Sequence, residues 1–349
     1  MNIFQFSKKL LKRKTQSKIF FFIIFSVNLL TIRYNSLTDE WTKFEDNPVL
    51  GNSQVGTVFD PFVIKNNSEY KMYVSWRKKG AIALSTSKDG YHWSKLKIIL
   101  NKGDKNSWES IVNRATLVEF NNKFYLWYTG QYNGKSKIGL AISKDGYNFI
   151  KYKNNPVLIP EKHFEKESVM NPNIIYDYEK KLFKMWYAAG ETYEPDVICY
   201  AESKDGINWR KYEHNPIFAH SLKNSSLDSF KVGGCDIHKI SNNRYLMFYI
   251  GYSDINTARI FVAENRNGIN NWRRSKNPII KPDKKKFDSK ACYKPSALYD
   301  NKKKVWTIWY NGRSKNREFI GVAFYKKYNL INFKYLFKII KKFFFKIYS

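Results

Sequence analysis

The sequence predicts an all-β protein, folded as a five-bladed β-propeller, on three observations. Aromatic residues make up 17% of the 349 residues, and they cluster in short runs such as "FYLWYTG" and "FKMWYAAG". Such runs are typical of pleated strands that are half buried. One unit recurs five times between residues 41 and 325, and the turn "SKDG" marks its period at positions 87, 143 and 203. Repeats of this length indicate a closed or stacked array of small sheets.

Each unit predicts four antiparallel strands: an inner apolar strand, an aromatic strand, a strand of small residues and an outer strand. The inner strands contain, in order, "DPFVI" at 60, "NRATLV" at 113, "NPNII" at 171, "CDIHKI" at 235 and "KPSAL" at 294. Four-stranded sheets around a central channel are the blades of a propeller. The Asp-Gly pair predicts a tight hairpin before the outer strand. We interpret its aspartates as structural, because one central site would not need the same residue in every blade.

The fifth unit lacks its outer strand. Near the other end of the repeat region, "EWTKFEDNPVL" at 40–50 matches "YNFIKYKNNPVL" at 147–158. We therefore expect the N-terminal strand to complete blade five. This pairing would close the ring and remove two open sheet edges.

The two ends differ from the middle and define three parts, residues 1–39, 40–325 and 326–349. The first combines lysines and arginines with an apolar stretch at 19–32, which is short for a membrane span and is typical of a signal, a short anchor or an interfacial helix. The last part predicts a basic amphipathic helix, with apolar residues at three- and four-residue steps and five lysines beside them. Such a helix favours an anionic membrane surface.

The charge balance points to an anionic neighbour. Lys and Arg number 61 against 30 Asp and Glu, a formal net charge of +31. Nucleic acid is not expected as a partner, since the basic residues outside the tails are dispersed and no recognition motif appears. We expect association with the bacterial inner membrane, peripherally or by the short anchor, with secretion or a periplasmic location as the alternative.

No cofactor or metal is expected from the sequence. Three cysteines at wide spacing suggest neither a disulfide framework nor a zinc site. The residues that open the inner strands, by contrast, differ from blade to blade, as a site built from five contributions would. They are Asp60, Asn113 with Arg114, Asn171, Gly233 or Gly234 followed by Asp236, and Lys294.

The pattern resembles the five-bladed propeller glycoside hydrolases of families 43, 32, 68 and 130. The likeness spans residues 41–325 and rests on "FDPFVI", "FKMWYAAG", "SKDGxxW" and "NPVL". It implies cleavage of a glycosidic bond in a polysaccharide or oligosaccharide, such as a bacterial surface glycan. In such families the Asp of a "DP" pair in blade one is the general base or nucleophile, which matches Asp60. A Glu shortly before a Pro in blade three is the general acid.

The other family positions depart from this pattern. Blade two has Arg114 but no carboxylate beside it, and blade three has Met170 where the acid is expected in "ESVMNPNII". Glu167 and Asp236 are the two candidates for the acid. The predicted substrate-binding residues are Glu109, Asn113, Arg114, Asn171, His238 and Lys294. Acids like Glu109 recur before several inner strands, so bracing of a loop is its alternative role.

Three functions remain open from the sequence. The first is a glycosidase that uses Asp60 and one of the two candidate acids. The second is a glycoside phosphorylase or glycosyltransferase, which the cationic Arg114 and Lys294 would suit. The third is a glycan-binding propeller without catalysis, with Trp76, Trp127 and Trp186 as platforms for sugar rings.

Overall fold

The computed structural model describes residue 37, residues 41–66 and residues 68–326. Within them, twenty strands form five four-stranded sheets, so the predicted five-bladed propeller is confirmed. The membrane-binding helix predicted for the C-terminal part and the apolar N-terminal segment lie outside the described residues. Their prediction stays a prediction.

The blades follow one another along the chain, and each begins with its inner strand and ends with its outer strand, except that the outer strand of blade five comes first in the sequence. The strand bounds are β1 (Thr42–Lys43); β2 (Val58–Asn66), β3 (Glu69–Trp76), β4 (Ala81–Ser87) and β5 (Lys97–Leu100) in blade one; β6 (Ile111–Phe120), β7 (Lys123–Tyr132), β8 (Lys135–Ser143) and β9 (Ile150–Lys151) in blade two; β10 (Val169–Asp177), β11 (Leu182–Ala189), β12 (Val197–Ser203) and β13 (Arg210–Lys211) in blade three; β14 (Lys231–Ser241), β15 (Arg244–Asp254), β16 (Thr257–Asn265) and β17 (Arg273–Arg274) in blade four; and β18 (Ala291–Asp300), β19 (Val305–Ser314) and β20 (Arg317–Lys326) in blade five. Two short 3-10 helices, Arg77–Lys79 and His163–Glu165, lie in connections.

The N-terminal strand closes the ring, as predicted. Sheet five has the order β1-β20-β19-β18, with Thr42 opposite Phe324 and Lys43 opposite Ala323. The stacked rings of Trp41 and Tyr325, 5.6 Å apart, lie next to this pair. The chain therefore enters and leaves the propeller at one end of blade five.

The recurring Asp-Gly turn joins neighbouring blades. Its glycine has a positive φ, 84° in Gly90, and its carbonyl oxygen accepts a hydrogen bond from an aromatic side chain of the preceding blade. Among the described residues three indole nitrogens make this bond: Trp127 Nε1 to Gly206, Trp309 Nε1 to Gly90 and, in the equivalent Asn-Gly turn of blade four, Trp186 Nε1 to Gly268. The carboxylate of the turn's aspartate accepts hydrogen bonds from backbone N–H groups of the same turn, as Asp89 does from Tyr91 and His92. The glycine contact joins two blades and the aspartate contact holds the turn, so both have a structural role.

A second recurring contact braces four of the five blades. An acid before the inner strand accepts a hydrogen bond from a tyrosine of the second strand and pairs with a base of the outer strand. The four sets are Glu109–Tyr128–Lys151, Glu165–Tyr187–Lys211, Asp228–Tyr249–Arg274 and Asp288–Tyr310–Lys43. In blade one, Val74 occupies the tyrosine position in the repeat. We call each set a blade brace below.

The inner strand of every blade contains a β-bulge near its start. In four blades the bulged residue carries a side chain and has a positive φ: Asp60 (53°), Arg114 (55°), Asn171 (51°) and Lys294 (37°). Blade four has Gly233 at this position, followed by Gly234, where an added Cβ would lie 2.8 Å from the Asn171 side chain. Left-handed backbone costs a residue with a side chain on the order of 1–3 kcal/mol and is concentrated at functional sites. Since bulges redirect side chains, four different polar groups turn towards the channel.

Candidate active site

A cavity of about 550 Å³ opens at the end of the channel where these bulges lie. Its wall is formed by the starts of the inner strands of several blades and by the turns between second and third strands. Asp60, Asn113, Arg114 and Asn171, all predicted from the sequence, line it together. A concave pocket with convergent polar groups is the expected form of a small-molecule site.

Asp60 and Arg114 form the charged centre of the cavity. Arg114 Nε lies 3.7 Å from Asp60 Oδ2. Ser75 Oγ connects the two blades, because it accepts a hydrogen bond from the Arg114 backbone N–H at 2.9 Å and donates to Asp60 Oδ2 at 3.4 Å. Burial raises the pKa of the Asp60 carboxyl, while Arg114 and Lys294 act against this. Asp60 is thus a carboxyl held in place by a neighbouring guanidinium.

Lys294 lies behind this centre and outside the cavity wall. It is 1% exposed, and its ammonium donates to the Cys235 carbonyl oxygen at 3.5 Å. Burial lowers the pKa of Lys294, and the charge of Asp60 raises it in part. Its effect on a bound ligand would therefore be electrostatic.

Glu194 is a second carboxyl in the cavity wall. It lies in the turn 190–196 between β11 and β12, next to Pro195. Burial raises the pKa of Glu194, whereas a hydrogen bond with Tyr252 and the charges of Arg114 and Arg313 lower it less strongly. A carboxyl whose pKa is raised by burial suits a general acid.

Sequence reasoning missed Glu194, although a signal was present. The resemblance placed the acid at a Glu shortly before a Pro in blade three, and "EP" occurs at 194–195. Alignment of the inner strands places the acid in "ESVMNPNII" instead. The structure shows that turns between second and third strands also line the cavity, which makes a Glu-Pro pair in such a turn a candidate as well.

A third carboxyl and two more arginines complete the charged wall. Glu318 accepts a hydrogen bond from Arg77 Nη2 at 2.5 Å, which neutralises both groups. Arg313 donates from Nη2 to the Asn256 carbonyl oxygen at 2.7 Å and lies over the Tyr293 ring. Its buried Nε has no partner among the described residues. Arg313 therefore has an N–H that its neighbours among the described residues do not use.

Two predicted residues lie away from the cavity wall on the outer part of their blades. Glu167 is exposed over 65% of its side chain and pairs with Lys135 at 2.6 Å. Glu109 belongs to the brace of blade two, where it accepts a hydrogen bond from Tyr128 and pairs with Lys151. These contacts of Glu109 fit its alternative role, the bracing of a loop, rather than substrate binding.

Asp236 and His238 are brought together, but neither lines the cavity. Asp236 is buried, and its oxygens accept hydrogen bonds from Asn173 Nδ2 and the Ala297 N–H, with His238 Nε2 at 3.1 Å. Burial would raise the pKa of Asp236, but His238 and these hydrogen bonds hold it below its ordinary value. An ionised Asp236 thus links blades three, four and five.

The aromatic platforms expected for a binding propeller need a correction. Trp127 and Trp186 are completely buried between blades, so they cannot stack on a sugar. Trp76 does line the cavity, and Tyr193, beside Glu194, lines it with 71% of its surface exposed. Aromatic faces of this kind suit the apolar side of a sugar ring.

The described residues contain no group of three or more His, Cys, Asp or Glu side chains placed to hold a metal ion. The three cysteines are buried and unpaired. In the same part of the chain, no helix has the length and apolar character needed to cross a bilayer.

Comparison with known families agrees with this architecture. The family model described as the glycosyl hydrolases family 32 N-terminal domain matches residues 27–112 and 83–227, which together are more than half of the chain. The chain belongs to this family. It is a propeller with a glycoside hydrolase fold, and its relatives include glycoside hydrolases and oligomannan phosphorylases.

Two curated relatives of this family 32-type propeller come from Thermoanaerobacter sp. (strain X514). A 1,2-beta-oligomannan phosphorylase is 28% identical over 197 residues, which cover 53% of this chain and 60% of the relative. A beta-1,2-mannobiose phosphorylase is 28% identical over 176 residues, covering 46% and 54%. The chain therefore spans less than two thirds of the length of either relative.

Solved structures share the fold of this family 32-type propeller at low identity. A beta-1,2-mannobiose phosphorylase from Listeria innocua, in complex with beta-1,2-mannobiose, has a TM-score of 0.63 at 15% identity and covers 82% of this chain and 96% of its own. A thermostable family-43 glycoside hydrolase has a TM-score of 0.65 at 20% identity and covers 81% and 94%. These likenesses concern the fold alone.

Proposed function

We propose that this protein is an enzyme that cleaves a glycosidic bond of an oligosaccharide, with Glu194 as general acid. The observation that carries the proposal is that Glu194, with its raised pKa, lies in the same cavity wall as the Asp60–Arg114 pair. Burial raises the pKa of both carboxyls, and nearby cations lower it in part, Arg114 and Lys294 at Asp60 and Arg114 and Arg313 at Glu194. Glycosidic cleavage needs two such carboxyl groups, one as the acid and the other as the base or nucleophile.

In hydrolysis, Glu194 donates its proton to the glycosidic oxygen as the bond to the anomeric carbon breaks. A water molecule attacks that carbon and loses its proton to Asp60. Trp76 and Tyr193 offer the apolar faces on which sugar rings pack.

A specific observation favours a second candidate, in which phosphate replaces water. Arg114 and Arg313 line the cavity, and Lys294 adds its charge from behind. Arg313 Nε has no partner among the described residues, and guanidinium groups match phosphate oxygens well. An inorganic phosphate ion would attack the anomeric carbon directly, and Asp60 would not be needed as a base. Both curated relatives are phosphorylases by name.

Whether water or phosphate attacks the anomeric carbon can be determined by incubating the full chain with β-1,2-mannobiose, with and without inorganic phosphate. Phosphorolysis yields mannose and mannose 1-phosphate and requires phosphate, whereas hydrolysis yields two mannose molecules in either case. Glu194→Gln should slow both reactions by roughly 10²–10⁴. If β-1,2-linked mannosides and a wider panel of oligosaccharides stay intact under both conditions, the proposal is wrong.

A further inference from the structure

A chain of side-chain hydrogen bonds starts in the turn that carries Glu194. Thr192 Oγ1 lies 2.5 Å from the Gly134 carbonyl oxygen, to which it must donate, because a carbonyl can only accept. Ser136 Oγ lies 3.4 Å from Thr192 Oγ1. Since the single hydroxyl proton of Thr192 is already used, Ser136 is the donor in this contact.

The same reasoning continues to the cavity wall. Ser136 has used its proton, so it accepts from Gln131 Nε2, 3.2 Å away. Gln131 must then turn its Oε1 to Asn113, which donates from Nδ2 at 2.5 Å. The direction of the whole chain is set at Gly134, and it fixes which way the Asn113 amide points. Side-chain amides are oriented by such networks rather than by shape.

Asn113 Oδ1 is the free end of this chain. It is buried and has no hydrogen-bond partner among the described residues, and Asn113 lines the cavity beside Arg114. A buried acceptor without a donor costs about 1–3 kcal/mol. A hydroxyl group of a bound ligand would remove that cost.

We propose that Asn113 Oδ1 accepts a hydrogen bond from one hydroxyl group of the bound sugar. Thr192 is the positioning residue, because it sets the direction of the hydrogen-bond chain and so keeps the oxygen of the Asn113 amide towards the cavity. The proposal rests on the proposed function, since it names a determinant of specificity in the same cavity. Thr192 also holds the Glu194 turn against blade two, because its carbonyl oxygen accepts a hydrogen bond from Arg114 Nη1 at 3.2 Å. A sugar that lacks the hydroxyl, or carries it acylated, is predicted to be a poor substrate.

The first test compares three variants of the full chain on β-1,2-mannobiose and its monodeoxy analogues, with inorganic phosphate present. The wild type should discriminate against one analogue roughly 10- to 100-fold in kcat/KM, the effect of leaving a buried acceptor unpaired. Thr192→Val frees the Ser136 proton, so the side-chain amides of Gln131 and Asn113 can rotate by half a turn. Discrimination against the deoxy analogue should then fall below about threefold. Thr192→Ser keeps the hydroxyl and should restore it.

Ser168→Ala is the matched control. Ser168 Oγ contacts Thr192 Oγ1, but it is not a link between Thr192 and Asn113, so discrimination should stay at the wild-type level. If Thr192→Val discriminates as strongly as the wild type, the polarity does not depend on Thr192 and the inference is wrong.

Neutron diffraction from deuterium-exchanged crystals of the full chain gives a second test that needs no substrate. The inference expects both deuterons of the Asn113 amide on the atom next to Gln131. Deuterons on the atom next to the cavity would overturn it. If β-1,2-mannobiose is not cleaved, the function proposed for that substrate fails, while the amide orientation still decides this inference.

Discussion

Lys43 Nζ lies 2.5 Å from Asp288 Oδ2, although 245 residues separate them in the chain. The pair is the blade brace of blade five, with its base supplied by the N-terminal strand and its acid completely buried. The same contact that stabilises three other blades within their own sequence therefore holds the two ends of the propeller together here.

Lys43→Met should open the ring. Removing one member of a buried ion pair costs about 3–5 kcal/mol, because it leaves an unpaired charge, and Asp288 would be that charge. Urea unfolding should show the loss, and limited proteolysis should cut first near strand β1. Lys151→Met is the control, since it removes the same base from the brace of blade two, where no chain end is involved. Equal rates of cleavage near β1 in the two variants would contradict the closing role.

Glu194→Gln should lower the cleavage rate by roughly 10²–10⁴, the usual contribution of general acid catalysis. A substrate with a good leaving group, such as a dinitrophenyl glycoside, needs no proton donor, so it should recover most of the rate. Glu167→Gln removes the acid candidate in the exposed Lys135 pair and should leave both rates unchanged. A larger loss from Glu167→Gln than from Glu194→Gln would reverse the assignment of the acid.

The pH dependence of cleavage should follow the protonation of Glu194. Burial raises its pKa, and the acid works only when protonated, so activity should fall as pH rises through that pKa. The Tyr252 hydrogen bond lowers the pKa of Glu194. Tyr252→Phe should therefore move the alkaline limb of the kcat profile to higher pH, and Glu194→Gln should remove that limb. A shift to lower pH in Tyr252→Phe would show that another group titrates.

The lysines of the C-terminal part should control binding to anionic vesicles. Changing Lys334, Lys338, Lys341, Lys342 and Lys346 to Glu should abolish sedimentation with vesicles of phosphatidylglycerol and phosphatidylcholine, since each basic residue near the surface contributes about 1 kcal/mol. Glycoside cleavage should not change. Sedimentation that persists in the variant would argue against this membrane contact.

The sequence predicted the features that repeat and missed most of those that do not. The period gave the five blades, the N-terminal closing strand and the position of Asp60, because sheets need the same strands and turns each time. Arg114, Asn113 and Asn171 followed from the same alignment of inner strands.

The turns between second and third strands obey no such period. They differ in length and composition from blade to blade, from "NG" at 133 to "GETYEP" at 190, because the pairing of the sheet does not depend on them. Glu194, Arg313 and Glu318 lie in or beside such turns. Sequence alignment of the blades therefore could not locate them.

The β-bulges at Asp60, Arg114, Asn171 and Lys294 allow the side chains at the cavity to differ while the backbone of the propeller stays the same. Each bulge belongs to one blade and leaves the rest of that sheet paired. A substitution at Asp60, Arg114 or Asn171 changes one wall of the cavity, and a substitution at Lys294 changes the charge behind it, while the strands of the sheets stay paired. The four positions can therefore be substituted independently of one another. This gives a physical route by which one architecture could change its acceptor from water to phosphate, one residue at a time.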